Sequence, residues 1–200
     1  MVEADPGWVE RELAAGALAC PGCAGVLGPW GFARRRRLRG RAGEVRLRPR
    51  RGRCRGCLVT HVLLPTVALL RRGDLVEVIG AALLAKAADA SRGHRRIAAE
   101  LGLPESTVRG WLRRLAGRAE LVRAHFTRLA VWLDPTAGPV CPRGSPLGDA
   151  VEAIGVAAVA AARRLEPTPV PAMTSPWRLA AGASGGRLLC NTNAPFPAPW

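Results

Sequence analysis

Tyrosine is absent from this chain of 200 residues. That absence excludes every mechanism built on a tyrosine nucleophile, including strand transfer through a phosphotyrosine. Lysine is almost absent too: of 30 basic residues only Lys86 is lysine. No run reaches 18 apolar residues, and the best, Ala153 to Ala162, is short and Ala-rich, so a spanning helix is not expected. Carboxylates are scarce, 15 against those 30 bases, which leaves a net charge of +15. A GC-rich coding bias accounts for arginine over lysine, but not for the excess of base over acid. That excess points to a polyanion such as nucleic acid or an acidic membrane face. The acidic start, Met1-Val2-Glu3-Ala4-Asp5-Pro6, is unlike a secretion signal. The expectation is a soluble, cytoplasmic, nucleoid-associated protein with no membrane partner. In a reducing cytosol its six cysteines read as metal ligands or free thiols rather than disulfides.

The charge is placed rather than spread. Residues 34 to 55 hold twelve arginines against Glu44 alone, and residues 92 to 128 hold nine against Glu100, Glu105 and Glu120. The first island lies between Cys20-Pro-Gly-Cys23 and Cys54-Arg-Gly-Cys57. Two C-x2-C turns supply four thiolates, the set that tetrahedral Zn2+ takes in closed structural sites. Cys20, Cys23, Cys54 and Cys57 are therefore the expected ligands and Zn2+ the expected cofactor. His61 is an alternative ligand, with a packing or phosphate-contacting role preferred, and Cys141 and Cys190 read as incidental thiols. Strand patterns at Phe32 to Leu38, Glu44 to Arg48 and Leu58 to Leu64 complete a zinc ribbon, a small sheet hung on a metal because its own core is thin. Arg34, Arg35, Arg36, Arg37, Arg46, Arg48, Arg51 and Arg53, with Arg39, Arg50 and Arg55, are expected to grip phosphates.

From His94 the chain reads HRRIAAELGLPESTVRGWLRR, a helix-turn-helix pattern. Ile97, Leu101, Leu103, Val108 and Trp111 occupy the apolar positions, Ala98 the close approach, and Gly102 the turn. The second helix, about Pro104 to Ala116, presents Glu105, Ser106, Thr107, Arg109, Gly110 and Arg113 away from that stripe. Arg109 and Arg113 read either as base-edge contacts in the major groove or as phosphate contacts, with Arg95, Arg96, Arg114 and Arg118 positioning the backbone. Asp74 with Glu77 reads as the start of a supporting helix. Leu115, Leu121, Val122, Phe126, Leu129 and Trp132 recur at helical spacing as core or a dimer seam.

The fold expected is α+β: an acidic leader (1–16), a zinc ribbon (17–66), a trihelical helix-turn-helix domain (67–133), and a low-complexity Ala/Pro/Gly-rich tail (134–200). That tail comprises a linker, one helix over Leu147 to Leu165, and a largely irregular remainder. The order CPxC, basic hairpin, CxxCxxTH, then STVRGWLRR resembles the amino-terminal DNA-binding part of bacterial insertion-sequence transposases. It resembles more closely an actinobacterial family of short zinc-ribbon and helix-turn-helix proteins. The resemblance covers roughly residues 17 to 133. It implies recognition of element ends, with the four cysteines as ligands and the helix at 104–116 as reader.

The chain departs from those transposases in lacking their catalytic domain. After residue 133 only Asp134, Asp149, Glu152 and Glu166 could serve a two-metal site, and no strand pattern holds them together. No catalytic residue is expected. The leading expectation is sequence-specific binding of double-stranded DNA, as accessory factor or transcriptional regulator. The alternatives are an RNA-binding or ribosome-associated ribbon, an adaptor for a separately encoded transposase, and a remnant without a present role. A homodimer remains open.

Overall fold

A computed structural model describes residue 2 and residues 5–165, 175–190 and 196–197. The leader is not a separate acidic segment. Asp5 accepts hydrogen bonds from the Gly7 and Trp8 amides, Pro6 fits the first turn, and Gly16 closes the helix at φ +69°, giving α1 over Pro6–Ala15. Val9 and Leu13, four residues apart, turn one face of α1 inward, and both are buried. Leu13 reaches Gly52 and Leu27 of the adjoining sheet.

That sheet is antiparallel with strand order β1 (Leu27–Phe32), β4 (Arg50–Cys54), β5 (Thr60–Leu63). Strands β2 (Arg36–Gly40) and β3 (Gly43–Leu47) form a separate hairpin. The strand expected over Phe32 to Leu38 is thus broken: it ends at Phe32, and pairing resumes at Arg36 with a different partner. The β4 strand was missing from the sequence pattern for a physical reason. Its inward residues are Gly52 and Cys54, so no apolar alternation marks it. Gly52 is small because a β-carbon there would sit 3.3 Å from Leu27 Cβ and 3.5 Å from Leu13 Cδ2.

Among the described residues, six further helices follow: α2 (Val76–Ala88), α3 (His94–Leu101), α4 (Glu105–Ala116), α5 (Ala119–Leu133), α6 (Pro146–Leu165) and α7 (Pro176–Ala183). Asp74 does not cap α2. The cap residue is Leu75, without a side-chain hydrogen bond, and Glu77 pairs instead with Arg178 at 3.6 Å. Gly102 ends α3 at φ +62°, and α4 starts after Pro104. Ile97, Ala98, Val108 and Trp111 are buried between these helices, and Leu101 and Leu103 flank them half-buried.

The long pair α5 and α6 forms the centre of the helical half. On α5, Val122, Phe126 and Leu129 face inward. They meet α6, whose Ala150, Ala153, Ile154 and Ala157 form a buried stripe of mostly small residues at helical spacing. The remainder beyond α6 is not irregular throughout. Ser175 accepts from the Trp177 amide at 3.2 Å and Pro176 takes the first turn, so α7 forms and buries Trp177, Leu179 and Ala180. Leu188, Leu189 and Phe196 join the same core. The part of the tail over 166–174 lies outside the described residues.

Candidate metal centre and basic surfaces

The two C-x2-C turns meet face to face. All four sulfurs, of Cys20, Cys23, Cys54 and Cys57, lie within 4.8 Å of one another. Cys23 Sγ is 3.4 Å from Cys54 Sγ, and Cys20 Sγ is 3.7 Å from Cys57 Sγ. A tetrahedral ion with metal–sulfur bonds of about 2.3 Å needs sulfurs about 3.8 Å apart, so the spacing fits a metal ion. The turns aim donors at the sulfurs: the Gly22 amide at Cys20 (3.4 Å), and the Gly56 and Cys57 amides at Cys54 (3.3 and 3.4 Å). His61 stands behind the site, its Nε2 3.3 Å from Cys20 Sγ. That places it against a sulfur, outside the four-thiol set, where its ring can orient that sulfur. Gly25 is required by proximity, since a β-carbon there would lie 3.0 Å from Cys54 Sγ. The residues after each turn, Ala24 and Leu58, adopt φ +58° and +61° in the left-handed region.

The thiols do not titrate alike. The Cys57 amide, with the Cys23 thiol and the Gly56 amide, pulls Cys54 down to about 6 against the opposing effect of burial. Cys57 gains from the Val59 amide, yet the neighbouring thiols of Cys23, Cys54 and Cys20, with burial, push it up to about 11. Four sulfurs this close resist ionising together, and a divalent cation at their centre is what lets such a set ionise fully. Among the described residues no other His, Cys, Asp or Glu group converges in this way. Cys141 and Cys190 are free thiols apart from the site.

The arginines of the sheet region divide into two groups. Arg34, Arg35, Arg37, Arg46 and Arg48 are exposed. Arg37 and Arg46 are direct cross-strand partners, a like-charge pair that costs stability by itself, and Glu44 reaches both at 3.7 and 3.6 Å. Arg55 is exposed too, and most of the others are engaged with the protein. Arg36 donates to the Arg72 carbonyl at 3.1 Å, Arg53 lies over the Trp30 ring, and Arg51 is half-buried. Arg39 pairs with Asp74, and Arg50 with Glu10.

On α4, Val108, Trp111, Leu112 and Leu115 lock into the core. Ser106, Arg109 and Arg113 fall on the opposite stripe and are exposed. Arg109 and Arg113 form no side-chain hydrogen bond or ion pair with other described residues. Glu105 instead pairs with Arg95 of α3 at 3.4 Å, and Arg96 with Glu100 at 3.1 Å. Thr107 and Arg114 are half-buried. Arg118, expected to position a backbone, is turned into the protein. It donates to the carbonyls of Arg187 (2.7 Å) and Cys190 (3.1 Å) and lies over the Phe196 ring.

Two groups escaped the sequence pattern. Trp30 and Phe32 stand out from β1 with arginines stacked on both rings, and their signal was two aromatics beside an arginine-rich strand. No helix among the described residues is long and apolar enough to cross a membrane. Comparisons with protein-family models, with curated proteins and with solved structures found no match.

Proposed function

We propose that this chain is a non-enzymatic, sequence-specific binder of double-stranded DNA. In this reading the half carrying the four cysteines is a zinc ribbon whose hairpin grips phosphates, and α2 to α4 form a helix-turn-helix unit whose last helix reads bases. The observation that carries the reading is the state of α4. One stripe is fixed by four buried side chains, while Arg109 and Arg113, one turn apart on the other, are left without an internal partner. A guanidinium held on a rigid helix is the side chain best suited to the paired acceptors of guanine in the major groove.

Further support comes from the hairpin, where Arg37 and Arg46 stand directly opposite each other with Glu44 alone between them, so a bound polyanion would lower the remaining repulsion. The pairs of Arg95 with Glu105 and Arg96 with Glu100 are exposed, and such pairs are worth about 0–1 kcal/mol, so phosphates can compete for these arginines. Cys20, Cys23, Cys54 and Cys57 would hold Zn2+, which supplies a structural cross-link and leaves no open position for chemistry.

The carboxylates beyond α5 also support a non-enzyme. Asp134 pairs with Arg163, Asp149 accepts from the Arg143 amide, and Glu152 pairs with Arg143. Glu166 lies outside the described residues. The resemblance to transposase DNA-binding parts is what suggests a role in mobile-element biology, as accessory factor or regulator.

The test is the salt dependence of duplex binding by the zinc-loaded full chain. With six to ten phosphate contacts, affinity should fall by about 10³-fold or more between about 50 and about 200 mM salt. A flat response would contradict the reading.

A further inference from the structure

The register of the three-stranded sheet gives it two unlike faces. Leu27, Gly52, Cys54 and Leu63 point toward α1 and are buried. Arg53 with its partner Thr60, and Arg51 with its partner Val62, point the other way. Trp30 stands on this second face, because the Arg53 guanidinium lies 4.5 Å from its ring centroid. Almost half of Trp30 is open to solvent (49%), and more than half of Val62 and Leu58 (52% and 59%).

We infer that this face is a stacking site for an unpaired nucleobase, presented by single-stranded DNA or RNA. The inference rests on the nucleic-acid reading above and adds a second kind of ligand to it. Three observations carry it. First, a shallow, open recess of about 410 Å³ is lined by Gly28, Pro29, Trp30, Arg53, Cys54, Arg55 and Leu58, beside the four-cysteine cluster. Its wall is an aromatic ring and its rim is cationic.

Second, the ring is preorganised. Arg53 is held by its Nε–H to the Leu58 carbonyl at 3.2 Å, which fixes the guanidinium against the indole. Leu58, at φ +61° and exposed, also lines the recess.

Third, β1, β4 and β5 contain no carboxylate, and Arg51, Arg53 and Arg55 form no ion pair with a carboxylate among the described residues. An acidless face of mixed aromatic and arginine character fits a nucleotide better than an apolar protein partner. A base inside a duplex cannot lie flat on an indole in a recess, whereas a splayed base can, and every base offers a π-face for it.

The test compares zinc-loaded full-length protein with Trp30→Ala and Trp30→Phe on fluorescein-labelled 12-mers. The arms are single-stranded DNA, single-stranded RNA of the same sequence, and the matching DNA duplex. Stacking losses on alanine substitution predict that Trp30→Ala weakens single-strand binding by about 5- to 150-fold. Trp30→Phe should retain most of it, and duplex affinity should change less than about twofold. The DNA and RNA arms then identify the source of the base. Unchanged single-strand affinity in Trp30→Ala, with duplex binding intact, overturns the stacking site and leaves the duplex reading standing. An equal loss in all three arms also overturns it, because it reports a folding defect or general charge binding. Failure of every arm with wild-type protein overturns both readings.

Discussion

Arg39 Nε lies 3.1 Å from the carboxylate of Asp74, and this ion pair joins the β2–β3 hairpin to the segment leading into α2. Asp74 is buried, Arg39 is half exposed, and Asp74 Oδ1 accepts no hydrogen bond. Backbone bonds reinforce the junction: the Arg39 amide donates to the Gly73 carbonyl at 2.9 Å, and the Arg39 carbonyl accepts from the Leu75 amide at 3.0 Å. Burial raises the Asp74 pKa, and Arg39 acts to lower it. With a raised pKa in the fold, the group favours folding below its unfolded pKa and loses that contribution as pH rises through the folded value. Removing Arg39 enlarges the loss. Arg39→Ala should therefore cost about 1–3 kcal/mol at neutral pH, and clearly less in acid once Asp74 takes up its proton. Denaturant titration at neutral and acid pH checks this, and an equal cost at both would remove Asp74 from the explanation.

Metal removal should unfold one half of the molecule. The core around the cysteines consists of Val2, Val9, Leu13, Cys20, Leu27, Cys54 and Leu63, too few apolar side chains to hold a sheet without a cross-link. Chelation should make residues 17–66 protease-sensitive while the helical circular dichroism signal largely persists. A sheet that stays protected without metal would show that these seven residues suffice.

His61 should set metal affinity without being a ligand. Its Nε2 touches Cys20 Sγ, and loss of such supporting groups typically weakens metal binding about 10- to 100-fold. His61→Ala is expected to show that loss in competition with a chromogenic chelator while keeping a one-to-one stoichiometry. Loss of stoichiometric binding would instead make His61 a ligand.

His125 should make the helical half acid-sensitive. It is buried, edge-on to Phe126 and Phe196 at 5.1 and 5.0 Å, and its Nε2 has no hydrogen-bond partner. Burial lowers its pKa, a bond with the Ala183 backbone opposes this, and Arg128 adds to the lowering. The unfolded chain thus takes up the proton first. The stabilising contribution is present above the usual imidazole value of about 6.5 and declines as pH falls toward the lowered folded value. His125→Phe should flatten the slope of stability between about pH 7.5 and 5; an unchanged slope would assign the acid sensitivity elsewhere.

Much of this structure was legible because its signals are local. The C-x2-C turns, Gly102, Pro104 and the stripe from Ile97 to Trp111 announce themselves within a few residues, and α6 falls within a residue of its expected span. Features that depend on remote partners were not legible. Gly80 carries no pattern, yet Trp177 lies against it so closely that a β-carbon could not be accommodated without movement. That contact, nearly a hundred residues apart in sequence, docks α7 and makes the C-terminal part core. Arg118 looked like a surface base for the same reason: its carbonyl acceptors lie some 70 residues downstream. At the candidate site the clustering of the four cysteines was readable from spacing, while the division of arginines between free and engaged required the register.

The central claim is that α4 reads base sequence, and the direct measurement is selection of bound duplexes from a random pool by zinc-loaded protein, repeated with Arg109→Ala and Arg113→Ala. The account predicts a defined motif for the wild type, and for each variant a loss of preference at about one position, worth about 1–3 kcal/mol, with weak salt-sensitive binding retained. Identical motifs from all three proteins, or no motif from the wild type, would contradict it.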